Sequence, residues 1–194
     1  MICARGLEKR YGRRRVLAGV DLDVPGEGFL VVTGSNGSGK TTLLRLVAGL
    51  VAPTRGEIQV DVDRSRIGFL THEPLVYREL TAVENLDLFG RLYRIAERRE
   101  RIGILLERFG LWEARNERVG TYSRGMTQRL ALCRTLMHEP DLLVLDEPFA
   151  SLDDDGAQVL DRELNDLAGS RTFVVSTHEP TRLMPLATVE LVLG

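Results

Sequence analysis

Residues 34–42 read Gly34-Ser35-Asn36-Gly37-Ser38-Gly39-Lys40-Thr41-Thr42. The run before them, Gly28-Phe29-Leu30-Val31-Val32-Thr33, has the composition of a strand. The run after, Thr41-Thr42-Leu43-Leu44-Arg45-Leu46-Val47-Ala48-Gly49-Leu50, has the pattern of a helix. A strand, a glycine loop and a helix in immediate succession form a phosphate-binding P-loop. The glycines let the backbone bend so that successive N–H groups converge on phosphate oxygens. The helix N-terminus adds its partial positive charge. Lys40 can reach β- and γ-phosphates, and the Thr41 hydroxyl can ligate Mg²⁺. A nucleoside triphosphate is therefore the expected ligand class.

The rest of the chain is read around this unit. Short strands are expected at Ile2–Leu7 and Val16–Val24, punctuated by Gly12 and Pro25-Gly26. Gly56–Val62 alternates polar and apolar residues as a half-buried strand does, and Ile67–Leu70 is a further short strand. From Thr81 to about Leu111 the period turns helical, with Leu86, Phe89, Leu92 and Tyr93, then Ile102, Leu105, Leu106 and Phe109. This block is rich in arginine, read as a solvated face paired with Glu97, Glu100 and Glu107. Helices near Arg124–His138 and Gly156–Ala168 then alternate with strands at Leu142–Leu145, Thr172–Ser176 and Val189–Leu193. Alternation of this kind indicates an α/β fold with a parallel sheet, interrupted by an inserted helical block.

Composition excludes several classes. A formal net charge of −2 gives no reason to expect nucleic acid or an anionic membrane surface as the main partner. Cys3 and Cys133 match no metal-binding spacing, and Cys133, within Leu130-Ala131-Leu132-Cys133, is expected to be a buried filler. The start of the chain lacks the apolar stretch of a signal peptide. No apolar run approaches the roughly 20 residues that span a bilayer. Any membrane part is expected from another chain.

Leu142-Leu143-Val144-Leu145-Asp146-Glu147 carries the second chemical signal. Its aliphatic run fits a central parallel strand buried on both faces. Ligands of open α/β sheets sit at the carboxyl ends of such strands, where Asp146 would hold Mg²⁺. Glu147 follows as the candidate general base for an attacking water.

Around this strand lie Tyr122-Ser123-Arg124-Gly125-Met126-Thr127-Gln128-Arg129-Leu130, then Pro148-Phe149-Ala150-Ser151-Leu152-Asp153, then Ser176-Thr177-His178. Together with the P-loop, this order resembles the ATP-binding cassette (ABC) family over nearly the whole chain. The resemblance implies a single ABC ATPase domain over residues 1–194. Its fold would be an α/β P-loop NTPase with a RecA-like parallel core sheet and an N-terminal antiparallel β part. A helical subdomain would be inserted at about residues 73–137. It implies ATP and Mg²⁺ as cofactors, with residues 34–42 on the phosphates and Tyr11 stacked on adenine. Ser123 and Gly125 would open a helix capping the γ-phosphate of ATP held by a second copy of the domain. Ser151, Leu152 and Asp153 would cross that dimer interface. His178 would contact the γ-phosphate, giving Lys40, Glu147 and His178 as the catalytic set.

Two positions depart from the family pattern. Arg124-Gly125-Met126 stands where Gly-Gly-Gln is usual, and Arg124 opposes the helix dipole unless an anion lies close. His72, followed by Glu73, stands where the Q-loop glutamine is expected, so His72 joins Thr41 and Asp146 as a candidate metal-contacting residue. A neutral imidazole can accept or ligate and a protonated one cannot, which predicts acid-sensitive hydrolysis. These departures are similar to the haem-exporter ATP-binding subunit of cytochrome c maturation and to other small bacterial exporters. The resemblance thus implies a homodimer or heterodimer of ATP-binding subunits that drives export through separate polytopic membrane permeases. The chain would lie peripherally on the cytoplasmic face of the inner membrane. The rival is a soluble ABC-type ATPase of iron–sulfur or other assembly. A GTPase is disfavoured because the chain lacks the Asn-Lys-x-Asp guanine-reading pattern.

Overall fold

The computed structural model describes residues 2–194. The elements in chain order are β1 (Ile2–Tyr11), β2 (Arg14–Val24), β3 (Phe29–Gly34), α1 (Lys40–Val47), β4 (Arg55–Val60) and β5 (Ile67–Leu70). They continue with α2 (Ala82–Leu92), α3 (Arg98–Arg108), α4 (Arg124–Leu136), β6 (Leu142–Asp146), α5 (Asp154–Leu167), β7 (Thr172–Ser176) and β8 (Val189–Leu193). They divide into two compact units. The first takes the chain up to Phe69, Asp141–Pro148 and Leu167–Gly194; the second takes Leu70–Pro140 and Phe149–Asp166.

The first unit holds two sheets. Strands β2-β1-β4 form an antiparallel sheet, and β5-β6-β7-β3-β8 form a five-stranded one in which β6, β7, β3 and β8 pair in parallel. This is the α/β fold expected. All five residues of β6 and of β7 are buried, as central parallel strands require. Phe29 and Phe173 stack at 4.8 Å between β3 and β7. Below β6, the Asp141 carboxylate accepts two hydrogen bonds from Arg66, both 2.8 Å, and one from Arg171 at 3.0 Å. One acid therefore pins the chain just before β5, β6 and β7. The register aligns the opposite ends: Asp146 pairs with Ser176, and Ser176 with Val32. The carboxyl ends of β6, β7 and β3 thus finish at one level.

The second unit is mainly helical. Its core side chains include Leu86, Ile102, Leu105, Leu106, Phe109 and Leu130, all buried. Cys133 is fully buried and donates to the Leu105 carbonyl at 3.5 Å, so it is the filler expected. Asn85 is also fully buried. Its Oδ1 accepts from the Tyr77 amide at 2.8 Å, and its Nδ2 donates to the carbonyls of Tyr77 and Thr81, both at 2.9 Å.

The structure corrects the sequence reading in three places. The helix after the P-loop stops at Val47, not Leu50, because Gly49 turns left-handed (φ 66°) and Leu50 bonds back to the Arg45 carbonyl. The helical block splits at Arg94 (φ 57°), where Ile95 bonds back to Gly90, and Leu92 ends 68% exposed rather than in the core. Its arginines pair with acids other than Glu97, Glu100 and Glu107. Arg91 and Arg98 share Asp87, Arg101 meets Glu139, and Arg108 meets Glu163. Asp87 is the i,i+4 neighbour of Arg91 on α2, a partner that helical spacing offers, whereas the partners of Arg98, Arg101 and Arg108 lie on other segments that spacing does not see.

Candidate active site

The first unit gathers the loop and both acidic residues. Gly34 and Gly39 are required by close approach as well as by conformation. A Cβ on Gly34 (φ 146°) would stand 2.2 Å from the Leu193 carbonyl oxygen and 2.6 Å from Ser38 Oγ. One on Gly39 (φ 106°) would stand 2.8 Å from Leu17 Cδ2. Gly39 also precedes the first turn of α1 with no side-chain cap, so the first amides of the helix are left to another acceptor. Ser38 Oγ is buried with no hydrogen-bond partner among the described residues. Open amides, an orphaned hydroxyl and a cation at a helix N-terminus fit a phosphate chain. Lys40, 8% exposed, folds over this loop and donates to the carbonyls of Gly34 at 2.8 Å and Ser35 at 3.3 Å.

Asp146 stands at the buried end of β6, where Thr41 Oγ1 donates to its Oδ2 at 2.8 Å and Ser176 Oγ to its Oδ1 at 2.6 Å. A hydroxyl and a carboxylate in contact are hard oxygen donors suited to Mg²⁺, which takes few protein ligands beside phosphate and water. The residues present fit the cation.

Glu147 sits in the left-handed region (φ 50°), strained for a residue of its size. The strain is held by β7: the Glu147 amide lies within hydrogen-bonding distance of both the Ser176 carbonyl, at 3.2 Å, and Ser176 Oγ, at 3.1 Å. Its Oε2 accepts from the His178 amide at 3.1 Å. Its Oε1 lies 3.1 Å from His178 Nε2 and 3.9 Å from Lys40 Nζ, yet takes no well-aligned hydrogen bond among the described residues. Geometry thus leaves one buried carboxylate oxygen between two nitrogen-bearing side chains with acceptor capacity to spare. That oxygen is chemically suited to orient and deprotonate a water. Lys40, Glu147 and His178, expected from separate stretches of sequence, stand together.

Tyr11 ends β1, 47% exposed, with Lys9 Nζ 5.2 Å from its ring centre. Its ring is open to a stacking ligand.

The second unit carries the other candidates. Ser123 caps α4, its hydroxyl accepting from the Met126 amide at 3.1 Å. Gly125 is buried, and a Cβ there would stand 3.2 Å from the Ser151 carbonyl oxygen. Signature helix and Ser151 loop therefore pack together, with Ser151 also left-handed (φ 69°). His72 lines a groove of about 490 Å³ with Arg78, Tyr122, Arg124 and Ser151. The Glu73 carbonyl accepts from Thr71 Oγ1. Sequence reasoning missed Ser176 as the shared support of both acids, although it stands two residues before His178.

The ABC transporter family matches residues 17–150, more than half of the chain. The ABC transporter ATP-binding protein YxlF of Bacillus subtilis, whose own function is uncharacterized, is 40% identical over 92% of this chain. The daunorubicin resistance ATP-binding protein DrrA3 of Streptomyces coeruleorubidus is 41% identical over 91% of it. The chain spans about three fifths of the length of these two relatives, 62% and 60%. Among solved structures, the ATP-binding cassette MJ0796, a dimer in a post-hydrolysis state bound to ADP and Pi, superposes with TM-score 0.88 at 28% identity. That match covers all of this chain and 94% of the other. The matched segment begins within β2 and ends just past Glu147, so it takes in the P-loop, Ser123, Gly125, Asp146 and Glu147, while Tyr11 and His178 lie outside it. The chain belongs to the ABC transporter family.

Proposed function

We propose that this chain is an ATP-hydrolysing subunit that closes as a dimer around two ATP molecules and drives transport through separate membrane subunits. The observation that carries the reading is the buried Glu147 carboxylate between Lys40 and His178, next to the Thr41–Asp146 pair. MgATP, when bound, supplies the transferable phosphoryl group and a cation that offsets its charge. Residues 34–42 hold the phosphates, Tyr11 receives the adenine, and Thr41 and Asp146 hold the cation. Lys40, now on the Gly34 and Ser35 carbonyls, turns to the phosphate oxygens and stabilises the charge that develops there. Glu147 Oε1 takes the proton of the attacking water, and His178 fixes that carboxylate through its amide. Ser123, Arg124 and Gly125 complete the site of a second copy. His72 takes the place of the Q-loop glutamine.

Among the described residues no helix is long and apolar enough to cross a membrane. The proposed attachment is through permease subunits at the cytoplasmic face, which the family membership supports. Export is the proposed direction, supported by the drug-resistance name of DrrA3; other relatives are named for import, so direction is decided by assay. Haem as cargo rests on His72, Glu73 and the Ser123–Met126 residues alone.

The test uses the Glu147→Gln variant. It should bind ATP, elute as a dimer with ATP, and lose at least about a hundredfold in hydrolysis, the lower end of a general base's usual share. Hydrolysis at the wild-type rate would remove Glu147 from the mechanism. Purification of the tagged chain from detergent-solubilised membranes should retain a polytopic protein. Recovery with soluble partners alone would favour an assembly ATPase.

A further inference from the structure

The β1–β2 hairpin carries a cation that the site described above does not use. Tyr11 and Arg14 pair directly across the two-residue turn Gly12-Arg13. Gly12 takes φ 59°, the left-handed value that the first position of such a tight hairpin turn demands. Directly opposed residues of antiparallel strands project from one face of the ribbon. That face looks on the P-loop. Arg14 Nη2 lies 3.5 Å from where a Cβ on Gly37 would stand. Farther along β2, the Val16 carbonyl oxygen and Leu17 Cδ2 close on the Cβ position of Gly39 at 2.9 and 2.8 Å. Strand β2 therefore runs beside the loop, and Arg14 reaches it at the Tyr11 end.

The Arg14 side chain makes no hydrogen bond or ion pair among the described residues. Other arginines of the same unit are committed: Arg5 to Asp23, and Arg66 and Arg171 to Asp141. A guanidinium presents a planar fork of donors that matches phosphate oxygens, and it keeps its charge at any working pH. An exposed, uncommitted fork against the outer edge of a phosphate loop is free to take a phosphate there.

We propose that Arg14 is a further nucleotide-binding residue, donating to the phosphate chain held by residues 34–42 and tying the Tyr11 hairpin to the bound ligand. The inference rests on the reading of that loop as an ATP site. Arg14 gives the hairpin two holds on one ligand, the base through Tyr11 and the phosphates through its own side chain. The arrangement favours nucleotides over nucleosides.

The test is binding of fluorescent ATP and ADP, with adenosine as competitor, to the full chain at two salt concentrations. Arg14→Ala should weaken ATP and ADP about tenfold, the scale of one partly screened charge-assisted contact. It should leave adenosine unchanged and make ATP binding less sensitive to salt. Arg14→Lys should recover part of the loss, keeping the charge but not the fork. Arg15 pairs with Arg10 on the opposite face, so Arg15→Ala should bind ATP as wild type does. ATP binding by Arg14→Ala within twofold of wild type would overturn the proposal. An equal loss in Arg15→Ala would overturn it too, since net charge would then suffice. So would an equal loss of adenosine, which would place the damage at Tyr11. A wild-type chain that binds no ATP at all would instead sink the ATP reading of the loop, and this proposal with it.

Discussion

Replacing Asn85 by alanine removes the three side-chain hydrogen bonds by which one buried amide holds the segment before α2. In the structure, Oδ1 holds the Tyr77 amide at 2.8 Å and Nδ2 holds the Tyr77 and Thr81 carbonyls at 2.9 Å. Thr81 would not be orphaned, because its carbonyl also accepts the Asn85 backbone amide at 2.9 Å. The Tyr77 carbonyl keeps the Leu80 amide at 3.3 Å, so only the Tyr77 amide would lose its partner. An orphaned buried donor or acceptor costs about 1–3 kcal/mol, and the low end applies because Tyr77 is 52% exposed and water can reach it. One such group and the lost amide volume sum to about 2 kcal/mol. Asn85→Asp should fare no better, since it sets a buried carboxylate against two carbonyl oxygens. Urea denaturation measures the global loss, and amide exchange measures the local one at Tyr77. A loss below about 0.5 kcal/mol, with Tyr77 exchange unchanged, would refute the assignment of the amide as the anchor of this segment.

Three further outcomes follow from the geometry. Arg66 beside Asp141 holds its carboxyl below the usual value of 3.8, so its stabilisation is complete above that value and lost as the pH falls through the lowered one. Asp141→Asn should cost about 1 kcal/mol at neutral pH, discounted for its exposure, and the gap to wild type should close below about pH 4 in acid-denaturation curves. Gly34→Ala should abolish nucleotide binding, because the new methyl collides with the Leu193 carbonyl; equilibrium dialysis with ATP would show it, and wild-type affinity would contradict the cradle. Ser123→Ala removes the cap of α4 and should lower stability by about 1 kcal/mol in thermal melts. An unchanged melt would mean that the Met126 amide finds water instead.

The core of the site was legible because its parts are local. Residues 34–42 announce their bend through glycine spacing, and the β6 run announces its burial through unbroken aliphatics. The divisions of the helical block were not legible. Arg94 adopts a left-handed φ that sequence associates with glycine, and it ends α2 where periodicity continues. The partners of the arginines escaped for a different reason. Asp87, Glu139 and Glu163 meet them through tertiary packing or through a turn that the sequence does not mark. Arg14 was invisible among three consecutive arginines, because only the turn geometry decides which of them faces the loop.

Ser176 touches both acids, donating to Asp146 and accepting from the amide of Glu147. The two residues therefore share a single bearing, and the site has no separate adjustment for affinity and rate at that point. On the proposed mechanism, a substitution of Ser176 shifts the carboxylate assigned to the cation and the one assigned to the water in the same stroke. Variants that bind the cation normally but turn over slowly should be scarce there. They should arise instead at His178, which touches only the base, just as selective loss of cation affinity should arise at Thr41, which touches only Asp146. Failure at β7 is thus total rather than graded, and any motion of that strand reaches both halves of the chemistry at once.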